Sequence, residues 1–220
     1  MKVCTDACLF GAWVADKMKL SEINNALDIG CGTGLLSLML AQKINTAIDA
    51  VEINNDAAKQ ASENISVTPW VKNIKVINSS LQDFIPSKKY DLIISNPPFY
   101  ENDLRSGNEN KDAAKHDATL RLDELLSFVN TNMEEEGVLA LLLPFHRAGY
   151  FERLANGSGL FVIEKLLVRQ SPKHDHFRSL LLFSKTEPVS AIVNEMSIHD
   201  HERKYTYEFQ KLLRDYYLNI

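Results

Sequence analysis

The tetrad Asn96-Pro97-Pro98-Phe99 follows an apolar run of strand type, Tyr90-Asp-Leu-Ile-Ile-Ser95. It therefore falls in the loop at that strand's carboxyl end, where open α/β sheets carry their ligand chemistry. The two prolines have no N–H and hold their own φ angles. Asn96 is driven into an extended conformation by the proline after it. What remains is a stiff rim with two free acceptors, the Asn96 side-chain oxygen and the Pro97 carbonyl, beside the aromatic face of Phe99. Two acceptors and a ring suit a planar group bearing an NH2, such as the amino edge of adenine. An ordinary proline-stiffened loop is the plainer alternative.

Upstream, Ala26-Leu-Asp28-Ile-Gly30-Cys-Gly32-Thr-Gly34 leads into Leu35–Ala41. This reads as a short buried strand, a glycine-rich turn and an apolar helix. Glycine admits positive φ and lets a ligand approach the main chain, and the helix N-terminus favours negative partners. A dinucleotide site wants G-x-G-x-x-G. Here the spacing is G-x-G-x-G, and Leu35 stands where the third glycine should be. That argues against pyrophosphate and fits S-adenosylmethionine, which joins an amino acid to a nucleoside without phosphate. Asp28 at the strand end is placed to hold the ammonium of such a cofactor, directly or through water.

A further strand, Ala47–Val51, ends at Glu52, whose carboxylate can accept from both hydroxyls of a ribose. It lies roughly 20 residues beyond the turn, where nucleotide-binding folds place their acidic residue. Ile53 is expected to pack on the adenine ring. After the strand Ile74–Asn78, the residues Ser80, Leu81, Gln82 and Asp83 are candidates to read that adenine's edge, with no choice among them.

The elements that must position these groups alternate between strand and helix signals, the mark of a parallel sheet covered on both faces. Helices are expected over Thr5–Met18, Asn55–Ile65, Leu122–Asn132, Phe145–Ala155 and Tyr207–Leu218. The remaining strands are Val138–Leu143, Leu160–Val168 and Ser179–Ser184, the last two joined as a hairpin. The expected architecture is a Rossmann-like α/β domain over residues 1–220, with a mostly parallel seven-stranded sheet and one antiparallel strand. The segment Tyr100–Thr119 has no periodicity and is long for a loop. It is expected to cover the reacting base and to be mobile without it.

With 220 residues, 45% hydrophobic and 24% charged, the chain has the composition of a soluble globule. No apolar run has the length of a membrane span, and no secretory leader is visible. Three cysteines give no disulfide framework, which points to a reducing cytoplasm. Cys4 and Cys8 read as packing residues and make a poor metal site, so no metal is expected. The net charge of −5 runs against nucleic-acid binding. Two basic stretches, Lys165–Arg178 and Arg105–Arg121, are nevertheless candidates to face phosphates.

With these residues in hand, the chain resembles class I S-adenosylmethionine-dependent methyltransferases of the amino-methylating kind, and among them the tRNA1(Val) N6-adenine methyltransferase family. The glycine turn and Asn-Pro-Pro-Phe belong to a wide superfamily. The likeness runs on through Glu63-Asn64 with Pro69-Trp70, and the narrower branch rests on the opening Met1–Asp6 and Gly11-Ala-Trp13 and the closing Tyr205–Phe209 with Tyr216-Tyr-Leu218. It implies methylation of the adenine 3′-adjacent to the anticodon, with the tRNA anticodon loop as partner; the working form is expected to be a monomer or weak homodimer. It also implies that Thr5 and Asp6 lie near the cofactor. The family often has an acid at the place of Ser80, which leaves the hydroxyl or Asp83 to substitute. Its members carry a short stretch ahead of Met1, so Met1 is expected to be a late start.

In this reading Asn96 and Pro97 grip the amino group, Phe99 stacks on the base, and Thr5, Asp6, Asp28, Gly30, Gly32, Gly34, Glu52, Ile53, Ser80, Leu81, Asp83 and Asn96 surround the cofactor. Three rivals stand beside it. The same tetrad serves enzymes that methylate guanine, DNA adenine or a protein glutamine, the last usually with a helical domain ahead of the turn. A nicotinamide dehydrogenase lacks support for want of the third glycine. A non-catalytic RNA-binding module of the same fold is separated by cofactor affinity.

Overall fold

Each strand of the sheet sends alternate side chains to opposite faces, and the sequence supplies two apolar sets to match. Residues 4–97 and 122–219 are described by the structure, a computed structural model. Pro98, Phe99 and the Tyr100–Thr119 segment therefore lie outside the described residues. The elements run α1 (Thr5–Met18), β1 (Asn25–Ile29), α2 (Leu35–Ala41), β2 (Ala47–Glu52), α3 (Asn55–Ser66), β3 (Ile74–Asn78), β4 (Tyr90–Ser95), α4 (Leu122–Asn132), β5 (Met133–Pro144), α5 (Phe145–Gly157), β6 (Phe161–Arg169), β7 (His176–Ser184), β8 (Ile192–Ser197) and α6 (Tyr207–Leu213). The α3 start is set by Asn54, whose side chain accepts from the Ala57 N–H at 2.9 Å, an N-cap.

The strands form one sheet in the order β3-β2-β1-β4-β5-β7-β6-β8. The pairs β3–β2, β2–β1, β1–β4, β4–β5 and β6–β8 are parallel. β7 runs against both its neighbours, β5 and β6, so it is the one reversed strand of the sheet and closes the expected hairpin. The sheet has eight strands rather than the expected seven. The addition is β8, an edge strand whose residues Ile192–Glu195 are exposed. With Asn194 and Glu195 in its middle it offers no continuous apolar run, and only its ladder with β6 reveals it. β5 also begins earlier than Val138, because the exposed Glu134–Glu136 run is carried into the sheet across a register shift opposite Tyr90–Leu92. The last helix stops at Leu213 rather than Leu218.

On one face Ala26, Ile48, Ala50, Leu92, Ile94, Ala140, Leu142, Leu180 and Leu182 pack with α1, α2, α3 and α6. On the other Leu27, Ile29, Val51, Ile93, Leu139, Leu141, Leu143, Leu181 and Phe183 pack with α4 and α5. Central parallel strands must be apolar on both faces, which is why β1, β4 and β5 read as near-continuous hydrophobic runs. The exception is Asp28, which points to the α1–α2 face and is fully buried there. A buried carboxylate in that layer needs a reason, and it lies at the site.

Candidate functional site

Three neighbouring parallel strands end level with one another. Ile29 of β1 is in register with Val51 of β2 on one side and Ser95 of β4 on the other. The next residues, Gly30, Glu52 and Asn96, therefore stand in a row with β1 in the centre, each step one strand spacing of roughly 4.8 Å. The buried Ser95 hydroxyl donates to the Ile29 carbonyl at 2.8 Å and ties the end of β4 to that of β1.

The glycine turn takes the conformations its composition allows. Gly30, Gly32 and Gly34 have φ of 72°, 56° and 85°, values that a side chain would strain. Its hydrogen bonds to the rest of the chain come from β2 and α3. The N–H groups of Gly30 and Cys31 donate to the Val51 carbonyl at 2.9 and 3.0 Å. Asn64 of α3 donates from its side-chain amide to the Thr33 carbonyl at 3.0 Å. The Gly32 N–H donates to Glu52 Oε2 at 2.8 Å, and Glu52 Oε1 accepts from the Asn54 N–H at 2.8 Å. Glu52 is thus a brace for the turn as well as the terminal group of β2. Each of its oxygens retains further acceptor capacity. Asn78 at the end of β3 holds this corner from the other side, donating to the carbonyls of Glu52 and Ile53 at 2.8 and 3.2 Å.

Asp28 Oδ2 accepts from the Ser37 N–H at 3.1 Å and the Ser37 hydroxyl at 2.7 Å, so the strand end is fastened to the first turn of α2. Its Oδ1 is buried without a hydrogen-bond partner. Burial pushes the carboxyl up to about 6, against the two Ser37 bonds, which lower it. An unpartnered buried acceptor is costly, and a cation or a bridging water would satisfy it.

Ile53 is 56% exposed beside Glu52. The Ser80 hydroxyl donates to Asp83 Oδ2 at 2.6 Å and accepts from the Asp83 N–H at 3.1 Å, so the two candidates form one small turn. Leu81 is buried in the α4–α5 face core, which leaves only its main chain to meet a ligand. Gln82 is turned away to Glu124, at 2.7 Å.

The other half of the site lies beyond Asn96. Asn96 is exposed, and with the buried Pro97 it lines a cavity of about 710 Å³. The cavity opens between the carboxyl ends of β4 and β5 and the start of β7, with Asp6 of α1 on its wall. Gly30 and Glu52 are not on that wall. They flank it across β1, so Asn96 is the junction between a β1–β2–β3 half and a β4–β5–β7 half. Asp6 Oδ2 accepts from Arg178 Nε at 2.8 Å. Thr5 lines a smaller cavity of about 220 Å³, shared with Asp6.

The basic stretch Lys165–Arg178 is mostly engaged within the protein. Lys165 pairs with Glu152, Arg169 with Glu195 and Arg178 with Asp6, leaving the exposed Lys173 as its plainest solvent-facing cation. The Arg105–Arg121 stretch lies outside the described residues. Sequence reasoning passed over Ser37, Asn78 and Phe145, and placed His176 only within a basic stretch. A serine inside the apolar run Leu35–Ala41 was the available signal for the first. The others meet their partners only through strand pairing.

The residues present fit S-adenosylmethionine. Asp28 Oδ1 lacks a partner and suits an ammonium, Glu52 keeps acceptor capacity for ribose hydroxyls, and a Cβ on Gly30 would meet nothing within 4 Å, so the main chain there is open to approach. Among the described residues no group of His, Cys, Asp or Glu is arranged to hold a metal ion, and no helix is long and apolar enough to cross a membrane.

Residues 11–130 match the family model of the methyltransferase small domain. The chain is 39% identical over 227 residues to a tRNA1(Val) (adenine(37)-N6)-methyltransferase of Cytophaga hutchinsonii, covering 100% of this chain and 92% of that relative. It is 38% identical over 224 residues to the same-named protein of Photorhabdus laumondii, covering 99% and 89%. Among solved structures it is similar to a predicted O-methyltransferase of Agrobacterium tumefaciens, with a TM-score of 0.68 at 18% identity over 94% of this chain and 95% of that one. A methyltransferase of Pyrococcus furiosus gives 0.59 at 21% over 80% and 82%. These two show the fold, and the near-full-length relatives show more: the chain belongs to the tRNA1(Val) (adenine(37)-N6)-methyltransferase family of class I methyltransferases.

Proposed function

We propose that this chain transfers a methyl group from S-adenosyl-L-methionine to the N6 amino group of the adenine 3′-adjacent to the anticodon in tRNA1(Val). In this reading it works in the cytoplasm on the anticodon loop, as a single domain and as a monomer or weak homodimer. The observation that carries the reading is the level row of Gly30, Glu52 and Asn96, which sets an amino-gripping corner beside a nucleoside-binding one.

The exocyclic nitrogen of adenine is a weak nucleophile because its lone pair is delocalised into the ring. Asn96 Oδ1 and the Pro97 carbonyl accept its two N–H bonds, which gathers electron density on the nitrogen and turns the lone pair out of the base plane. S-adenosylmethionine supplies an electrophilic methyl on a sulfonium. As the C–N bond forms and the C–S bond breaks, the nitrogen becomes cationic and sheds one proton to water, so no strong general base is called on. What the residues contribute is alignment, the main lever for such a displacement. Asp28 holds the ammonium, and Glu52 holds the ribose with Ile53 against the adenine. The Ser80–Asp83 turn reads that ring's edge, and Asp6 and Thr5 close the α1 side. Phe99 is assigned the face of the target base. Stacking of roughly 1–3 kcal/mol is comparable with the few kcal/mol needed to draw a base out of a loop.

The test is transfer of labelled methyl to unmodified tRNA1(Val), with the product located by nuclease mapping. Label at N6 of that adenine is the expected result. Label on guanine or on a protein glutamine would replace the substrate. Asn96→Ala should lose at least about 10²-fold in kcat, as for removal of one preorganised polar contact, with cofactor affinity nearly unchanged. Full turnover in that variant would overturn the role given to Asn96.

A further inference from the structure

We propose that Phe145 and His176 form a second base-holding shelf, which takes the nucleotide next to the target adenine in the RNA strand; this rests on the tRNA methylation proposed above. Phe145 opens α5 directly after Pro144, and Pro144 of β5 is in register with Arg178 of β7. That pairing brings the rings of Phe145 and His176 together, with centroids 5.2 Å apart and planes at 39°. Both line the same cavity as Asn96 and Pro97. They stand on the β5 and β7 side of it, roughly 5–10 Å from β4 by strand spacing. An unstacked neighbour in an RNA loop spans such a separation, and protein aromatics commonly receive such bases.

Among the described residues Phe145 is not part of the core. It is 41% exposed, whereas Phe151 of the same helix is 1% exposed and makes the core contact, edge-on to Phe183 at 5.5 Å. Burial and the Arg169 charge hold the His176 imidazole below its ordinary value, against the opposing charge of Asp175. The cavity wall beside the pair carries Arg147 and Arg178, while Glu195, paired with Arg169, lies 3.4 Å from His176 Nε2. Arg147 lies over the ring of Tyr150 at 5.9 Å, and Arg178 is oriented by Asp6. Among the described residues Asp6 is the carboxylate on that wall, and it is matched to Arg178. Aromatic faces with cations beside them are what a base and its phosphodiester require.

The experiment crosses Phe145→Ala with an anticodon stem-loop RNA carrying an abasic site on the 5′ or the 3′ side of the target adenine. Single-turnover and steady-state methylation are both measured. Removing either the ring or the correct neighbouring base should raise KM roughly 5- to 150-fold, the range of one stacking contact, with kcat little changed. Removing both should do no more than removing one. Phe145→Trp should restore KM, and His176→Ala should follow Phe145→Ala. S-adenosylmethionine affinity, measured on each variant, reports whether the fold is intact. Additive losses at both flanks, or a wild-type KM in Phe145→Ala, overturn the shelf while leaving the methylation reading untouched. Failure of the wild-type enzyme to methylate any RNA overturns that reading instead.

Discussion

Glu52→Gln separates the two duties that the structure places on one carboxylate. The side chain is 8% exposed and its two oxygens accept from different N–H groups, Gly32 at 2.8 Å and Asn54 at 2.8 Å. An amide of the same shape offers one oxygen and one NH2, so one of those N–H groups must face a donor. A buried donor left without an acceptor costs about 1–3 kcal/mol. For a chain of this length that corresponds to a fall of about 2–12 °C in Tm. The same change removes acceptor capacity on the side where a ribose would lie. Loss of one charge-assisted hydrogen bond, about 1.5–3 kcal/mol, raises the Kd for S-adenosylmethionine roughly 10- to 150-fold. The assays are thermal melting of the free protein and calorimetric titration with the cofactor. A lower Tm with cofactor Kd within twofold of wild type would show that Glu52 braces the turn and does nothing else. An unchanged Tm would show that the Gly32 and Asn54 contacts are dispensable, and the account of the turn would fail with it.

Asp28 carries a pH signature. Burial raises its carboxyl from 3.8 to about 6, so the folded protein binds this proton more tightly than the unfolded chain does. Stability on this account falls by roughly 3 kcal/mol as pH rises from about 4 to about 6, and levels off above that. Denaturant titrations across that window should show Asp28→Asn flattening the fall, with weaker cofactor binding at neutral pH; an unaltered slope refutes the assignment. Gly30→Ala places a side chain at φ 72° with nothing within 4 Å of its Cβ. A left-handed residue costs about 1–2 kcal/mol, so Tm should fall by about 2–8 °C. Cofactor affinity should fall as well, because the methyl enters space that no protein atom fills. An affinity equal to wild type would mean that the cofactor does not approach the main chain there.

Much of this site was legible because its parts are local. Asp28, the glycine turn and the start of α2 fall within one strand-turn-helix unit, and Tyr90–Ser95 announces the loop that carries Asn96. The apolar strands buried on both faces stand out against turns of Gly, Asn and Pro. What escaped is what depends on partners far along the chain. The run Lys165–Arg178 looks like a free basic surface when charges are counted in a window. Its neutralising acids are Glu152, Glu195 and Asp6, supplied by α5, β8 and α1. β8 escaped for the converse reason: an edge strand with Asn194 and Glu195 at its centre lacks the alternation that a half-buried strand shows, and the β6 ladder defines it. Phe145 and His176 are brought into contact by the pairing of β5 with β7, which no local pattern encodes.

The division of labour across β1 explains why so few polar groups suffice. In the proposed displacement two reactants must be held in line, and misplacement by about 1 Å can cost on the order of 10²-fold. Pro97 fixes its own φ, but the height of the loop start above the sheet must be fixed by something else. The Ser95 hydroxyl, bonded to the Ile29 carbonyl at 2.8 Å in a fully buried setting, fixes it. The Glu52 carboxylate does the same for the glycine turn from the opposite neighbour of β1. Both halves of the site are thus referred to one strand end. In the proposed reading, the corner that grips the amino group and the corner that holds the nucleoside inherit their separation from the hydrogen-bond ladder, whose spacing no side-chain rotamer can alter.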